Sequence, residues 1–248
     1  MQYRNLGKSN LQVSRLCLGT MMFGDQTPRE EAAAIVADAH AQGVNYIDTA
    51  DVYTKGASET MLGELLRGQR HHWVLATKLG NPMSDRVNEA HYSRSWMLRE
   101  VEASLGRLQT DHVDILYLHR DYNGMNLEEP LRALDAMLRA GKIRYWGVSN
   151  FRGWRITELV HLARQMGMPG PVVCQRSRYC RPAPTMAWAS PLTARWRAAC
   201  SRANTCPVSH RWPARGPHGV TSASRRPSGA QSRWRLPRPC TSRCASGA

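Results

Sequence analysis

Lysine, aspartate, glutamate, isoleucine and phenylalanine all vanish from this chain after Gln175. Residues 176–248 hold 14 Arg, 9 of the 14 Pro and 5 of the 7 Cys, but only four Leu and Val together. A segment so poor in aliphatic side chains cannot bury enough apolar surface to offset the entropy of ordering its backbone. Any domain this sequence specifies must therefore be built from residues 1–175, and residues 176–248 are expected to form a disordered Arg/Pro-rich tail. The break also reassigns the charge. The formal +15 divides into a near-neutral front, with 20 basic against 19 acidic residues, and a tail carrying +14. The basicity is thus no steering field around a site in the front segment.

Within residues 1–175, strand-like apolar runs alternate with helical patterns, which argues for a parallel sheet with crossover helices. Residues 2–6 and 11–14 read as a small hairpin that plugs a barrel floor. Strands are expected at Leu16–Thr20, Asn45–Asp48, Trp73–Lys78, Val113–Leu118, Tyr145–Ser149 and Val172–Gln175. Helices are expected near Pro28–Gln42, Ser58–Gly68, Ser93–Gly106, Leu127–Ala140 and Ile156–Gly167, with Ser58 as a cap and Gly43 and Gly141 as stops. The fold class is α/β: a (β/α)8 TIM barrel truncated to about six β/α units plus the N-terminal hairpin.

Asp48, Lys78 and His119 each stand at the carboxyl end of an expected strand, and Tyr53 lies in the loop after the second. Parallel β/α barrels assemble active sites from such strand ends. An acid, a phenol, an amine and an imidazole are also a usable proton-transfer set. A phenol titrates at about pH 10 and is a poor acid at neutral pH. A neighbouring ammonium stabilises the phenolate, and a carboxylate can anchor the ammonium. Singly, each residue has a plainer reading: Asp48 capping a turn, Tyr53 packing its ring, Lys78 an exposed strand end, His119 at the surface. Their joint placement favours a site. Asp51, Glu59 and Asp114 are expected to serve loop, helix and barrel structure. Cys17 and Cys174 read as buried strand thiols.

The front segment resembles the aldo-keto reductases, in the bacterial branch related to the potassium-channel β-subunits. The resemblance rests on Tyr3-Arg4-Asn5-Leu6-Gly7, Leu16-Cys17-Leu18-Gly19-Thr20-Met21, Asn45 through Tyr53, Ser58-Glu59, Ala76-Thr77-Lys78, Asp114 through His119, and Gly141 through Phe151. It covers residues 1–175 and then stops. It implies reduction of small aldehydes or ketones with NADPH. Tyr53 would protonate the carbonyl oxygen, Lys78 would stabilise its phenolate, Asp48 would anchor Lys78, and His119 would orient the carbonyl. Gly19, Thr20 and Met21 match the loop beside the nicotinamide ribose, with Asp48 nearby. Ser149, Asn150 and Gln175 match the groups that hold the carboxamide.

The tail departs from that family, and the genetic code suggests why. When each codon's third nucleotide is read with the first two of the next, Pro184 onward permits His-Tyr-Gly-Leu-Gly-Val. Leu192 onward permits Tyr-Ser-Pro-Leu-Ala-Arg-Gly-Val-Leu-Ser. Some letters are forced: Met186-Ala187 and Trp188-Ala189 must both give Gly. The recovered string resembles the family's seventh strand and its pyrophosphate loop, so out-of-frame translation after Gln175, with a short deletion, is the favoured reading. Two others remain open. The arm could bind nucleic acid non-specifically, through arginines on phosphates and Trp188, Trp196, Trp212 and Trp234 on bases. A zinc site could use Cys200, Cys206, His210 and His218, but their spacing lacks paired metal-ligand geometry, so no metal is expected.

The sequence contains no G-x-G-x-x-G after a strand, no apolar run long enough to span a membrane and no apolar signal core near residue 1. A cytoplasmic protein without a membrane partner is expected. The alternative functions are a non-catalytic interaction subunit on the same barrel and a nucleic-acid binder acting through the basic tail.

Overall fold

The computed structural model describes residues 1–175; the proposed zinc ligands, stacking tryptophans and disordered tail lie outside them. A short antiparallel hairpin comes first, β1 (Tyr3–Asn5) and β2 (Gln12–Ser14). Six parallel strands follow: β3 (Leu18–Gly19), β4 (Tyr46–Asp48), β5 (Val74–Leu79), β6 (Val113–Leu118), β7 (Ile143–Ser149) and β8 (Val173–Gln175). They lie side by side in chain order. The intervening helices are α1 (Arg29–Ala41), α2 (Ala57–Leu65), α3 (Arg94–Leu108), α4 (Glu128–Arg139) and α5 (Gly153–Gln165).

The sheet curls strongly. Strands β4 and β8 are four positions apart, which in a flat sheet would separate them by about 19 Å at roughly 4.8 Å per strand. Yet Gln175 Nε2 on β8 donates to Asp48 Oδ2 on β4 at 3.1 Å. Among the described residues, β3 pairs only with β4 and β8 only with β7. Among the described residues the arc is therefore a barrel wall with two unpaired edges.

Burial divides into two clusters, one on each face of the sheet. The larger packs helices on the outer face and includes Leu75, Leu116, Val148, Met97, Leu134 and Leu159. The smaller lies inside the curl, where Leu6 and Val13 of the hairpin meet Tyr46, Val74, Ala76, Ile115, Tyr117 and Val173. The hairpin thus plugs the inner floor as its sequence suggested. Its turn needs Gly7: φ is +60°, and a Cβ there would stand 2.2 Å from the Val172 carbonyl oxygen.

Local signals explain most boundaries, and three readings change. Ser93 caps α3 as a side-chain acceptor for the Trp96 amide, at 3.3 Å. Ser58 does not cap α2, because Gly56, with φ +90°, precedes the helix and makes no side-chain cap. Strand β5 continues past Lys78 to Leu79, so Lys78 lies within the strand rather than at an exposed end. Cys17 precedes β3 and is only half-buried, whereas Cys174 is buried in β8. Among the described residues, no helix is long and apolar enough to cross a membrane.

Candidate active site

Lys78 is the pivot of the carboxyl-end face. Its side chain is fully buried, and Nζ donates to Asp48 Oδ2 at 2.8 Å, the Thr49 carbonyl at 2.8 Å and Tyr53 Oη at 3.1 Å. All three ammonium protons are used. Burial alone would discharge such a lysine. The Asp48 carboxylate and the Tyr53 hydroxyl more than offset that penalty, and the Lys78 pKa is held above its ordinary value. The ammonium also lies 4.7 Å from the centroid of the Tyr53 ring.

Tyr53 reaches this position because the chain after β4 tightens into a short 3-10 turn, Tyr53–Gly56, with Thr54 and Lys55 at positive φ. The His119 ring stands edge-on to the Tyr53 ring at 6.0 Å between centroids. His119 follows β6 directly, and its amide donates to the Leu79 carbonyl at 3.0 Å, continuing the β5–β6 pairing. The four catalytic candidates therefore come together, on β4, the turn after it, β5 and the end of β6. Tyr117 is a second phenol, 5.9 Å from the same ammonium, but a poor acid candidate. It is buried and bonded to Tyr46 Oη at 2.6 Å, and burial pushes its pKa well above the ordinary phenol value. Tyr53 is only half-buried.

The nicotinamide candidates form a linked set. Gly19 pairs with Asp48 across β3 and β4, and the space where its Cβ would project is open. Thr20 is buried, with its amide donating to the Asp48 carbonyl at 3.1 Å; Met21 is half-buried beside it. Ser149 Oγ donates to Gln175 Oε1 at 2.9 Å, and Asn150 Nδ2 donates to Ser149 Oγ at 3.0 Å and to the His119 carbonyl at 3.1 Å. Asn150 takes φ +57°, a left-handed conformation that Asn tolerates better than most residues. Both Nδ2 protons are used in those two bonds, so Asn150 offers a carboxamide its Oδ1 acceptor. The open flank at Gly19 and these three polar side chains fit a flat amide-bearing ring.

Supporting residues lie behind the site. Ser58, read from sequence as a cap, is wholly buried and ties two strand ends together, donating to the Thr20 carbonyl at 2.8 Å and lying 3.1 Å from Thr49 Oγ1. Glu59 is buried too, paired with Arg107 Nε at 2.8 Å and accepting from Thr77 Oγ1, the residue before Lys78. Asp114 holds Arg70 and the Leu75 amide, each at 2.8 Å. Asp51 is buried, with Oδ1 on the Val52 amide and Oδ2 without a hydrogen bond. Burial and then the neighbouring Glu59 and Glu100 push its pKa well above the carboxylate range.

Sequence reasoning missed the Thr49 carbonyl, since backbone ligands leave no residue signature. It also missed the wall beside His119. There, a cleft of about 430 Å³ is lined by Asn81, His119, Arg120, Asp121 and Asn150. Among the described residues, no cluster of His, Cys, Asp and Glu is arranged to hold a metal ion.

Known proteins match this chain over the same region. The model of the Aldo/keto reductase family matches residues 15–181. A protein named probable voltage-gated potassium channel subunit beta, from Arabidopsis thaliana, is 38% identical over 181 residues, covering 71% of this chain and 54% of that protein. The uncharacterized oxidoreductase YqkF of Bacillus subtilis is 37% identical over 162 residues, 64% of this chain and 52% of that protein. A second probable channel subunit beta, from Oryza sativa, is 36% identical over 181 residues, 71% and 54% respectively. The chain spans about half the length of the curated relatives it matches.

Proposed function

We propose that this chain, which belongs to the aldo/keto reductase family, carries the proton-transfer half of an NADPH-dependent reductase of small aldehydes and ketones. The observation that carries the reading is the buried Lys78 ammonium, satisfied by Asp48, the Thr49 carbonyl and the Tyr53 hydroxyl. Tyr53 donates its proton to the carbonyl oxygen, and Lys78 stabilises the phenolate left behind. Asp48 keeps the lysine charged and aimed. His119 directs a ring N–H to the same oxygen and orients the carbonyl. Bound NADPH would supply the hydride that reaches the carbonyl carbon, giving the alcohol and NADP⁺. Ser149, Asn150 and Gln175 would hold its carboxamide, and the open side of Gly19 would receive the ribose. Such a donor fits a cytoplasmic enzyme.

The same reading makes this chain a poor catalyst. Hydride transfer needs both reactants held at near-attack distance. In the reading given to residues 176–248, out-of-frame translation has replaced the strands and loops that anchor pyrophosphate and adenosine. Residues 1–175 are then a partial barrel, with the acid in place and the cofactor poorly held. A second reading draws on the relatives named channel β-subunits: a non-catalytic interaction subunit on the same barrel. The complete Asp48–Tyr53–Lys78–His119 set favours the enzyme.

The test begins with the coding DNA across codon 175, read in three frames. It then compares three proteins by NADPH fluorescence titration and absorbance loss with 4-nitrobenzaldehyde: this chain, a frame-repaired chain, and the repaired chain with Tyr53→Phe. Background turnover in the first, recovery in the second and loss in the third, with cofactor binding kept, are expected. Robust turnover by the unrepaired chain would overturn the truncation reading. Full activity of the Phe variant would overturn the assignment of the acid.

A further inference from the structure

Arg120 lines the cleft beside His119. Its backbone is clamped by one phenol: Tyr92 Oη donates to the Arg120 carbonyl at 2.7 Å and lies 2.8 Å from the Arg120 amide nitrogen. Tyr92 is itself buried, and it fits there because residue 80 is glycine. A Cβ at Gly80, with φ +119°, would stand 2.2 Å from the Tyr92 ring. The backbone one residue after His119 is thus fixed.

The Arg120 side chain is exposed, and its guanidinium has no hydrogen bond or ion pair among the described residues. The adjacent carboxylate does not quench it. Asp121 is engaged by Arg152 Nε at 2.6 Å and Arg155 Nε at 3.4 Å. Among the described residues, no other carboxylate lines the cleft. The remaining wall is amide: Asn81, whose Oδ1 accepts from Tyr122 Oη at 3.1 Å, and Asn150. Consecutive Cα atoms lie about 3.8 Å apart. Among the described residues, a cation without an ion pair therefore stands next to the imidazole that would orient the carbonyl, in a cleft whose acid is already paired.

Resting on the reductase reading of this site, we propose that Arg120 selects carbonyl substrates that carry an anionic group, a carboxylate being the simplest, at the end remote from the reacting carbon. A guanidinium recognises a carboxylate through two parallel N–H donors, which adds orientation to attraction. That contact would turn the aldehyde end toward His119 and Tyr53. Arg120 is thus a specificity-determining residue rather than part of the proton-transfer set.

The probes are 4-carboxybenzaldehyde and benzaldehyde, which differ only by the anion. Binding of each to the full chain is measured by saturation-transfer NMR at low salt, independently of turnover. The charged aldehyde is expected to bind about tenfold tighter, in line with a charge-assisted contact. Arg120→Gln should remove that preference while leaving benzaldehyde unchanged, and Arg120→Lys should keep part of it. Added salt should shrink the preference. Equal affinities in the unaltered chain, or a preference that survives Arg120→Gln, would overturn the proposal. Turnover in the frame-repaired chain separates the two readings. A binding preference without turnover of either aldehyde sinks the reductase and keeps the anion subsite. Equal turnover and equal binding of both aldehydes sinks the subsite alone.

Discussion

Replacing Lys78 with Met tests whether the centre of the site also holds the fold together. The side chain is fully buried and its ammonium makes three hydrogen bonds. Methionine roughly keeps the volume and removes the charge. Asp48, only 6% exposed, would then retain a single side-chain donor, Gln175 Nε2. Breaking a buried pair by removing one partner costs about 3–5 kcal/mol. With a urea slope of roughly 2 kcal/mol per molar, the midpoint should fall by about 2 M. Asp48→Asn added to Lys78→Met removes the stranded carboxylate, so the double variant should melt later than the single one. The pH dependence follows from the raised Lys78 pKa. A lysine whose folded pKa exceeds its unfolded value stabilises fully below the unfolded value, about 10.4. That stability is lost as pH rises through the higher folded value. The unaltered chain should therefore lose stability above about pH 10, and Lys78→Met should lose less. The measurement is urea unfolding followed by tryptophan fluorescence at pH 7 and pH 11. A Lys78→Met midpoint equal to that of the unaltered chain would refute the reasoning, as would a double variant no better than the single.

Ser58→Ala should cost about 1 kcal/mol, because it removes one of two bonds to the buried Thr20 carbonyl, which keeps the Phe23 amide at 3.0 Å, and loses the tie to Thr49; urea midpoints decide, and an unchanged midpoint returns Ser58 to a minor helix role. Asp51→Asn should be at least as stable as the unaltered chain at pH 7. The raised Asp51 pKa means that its contribution is present below about pH 4 and lost as pH rises through the folded value, so melting against pH checks it. Gly80→Ala should cost about 3 kcal/mol through backbone strain and collision with Tyr92, read as a drop in melting temperature.

The parts of the fold that sequence made legible are those set by local pattern. Each of the six strands was placed to within two residues at its carboxyl end, because short apolar runs bounded by turn residues survive as strands in almost any α/β context. The start of α3 at Ser93 was legible for a related reason: the Trp96 amide that its side chain caps is three residues away. Ser58 carried the same local signature and proved to be something else. Its partners, Thr20 and Thr49, are 38 and 9 residues distant and set by the sheet. The Glu59–Arg107 pair spans 48 residues and was equally invisible. Lys78 was picked out as a candidate, but its burial was not foreseen: alternation along β5 puts it on the inner face with Val74 and Ala76. Arg120 drew no notice beyond its place next to His119. What distinguishes it is the Tyr92 clamp, 28 residues away, together with the engagement of Asp121 by two arginines.

In the proposed reading, the proton-transfer candidates share the centre of the sheet. Asp48, Lys78 and His119 come from β4, β5 and the end of β6, which are neighbours, and Tyr53 from the turn between the first two. Each is braced by strands on both sides: β3 and β5 flank β4, and β5 and β7 flank β6. The cofactor candidates are drawn instead from the margins of the arc. Gly19 lies on β3 and Gln175 on β8, each paired on one side only among the described residues. An edge strand relies on side-chain contacts for the stability that a central strand draws from two ladders. Here a side-chain contact from β8 reaches across the curl, the 3.1 Å hydrogen bond from Gln175 to the carboxylate that holds Lys78. Loosening β8 would therefore be felt at the acid as well as at the carboxamide site, through Asp48. Loosening β3 would act through the Thr20 amide on the Asp48 carbonyl. In the proposed reading the two halves of the reaction meet at one aspartate, and cofactor retention and acid positioning become coupled properties of the same curled sheet.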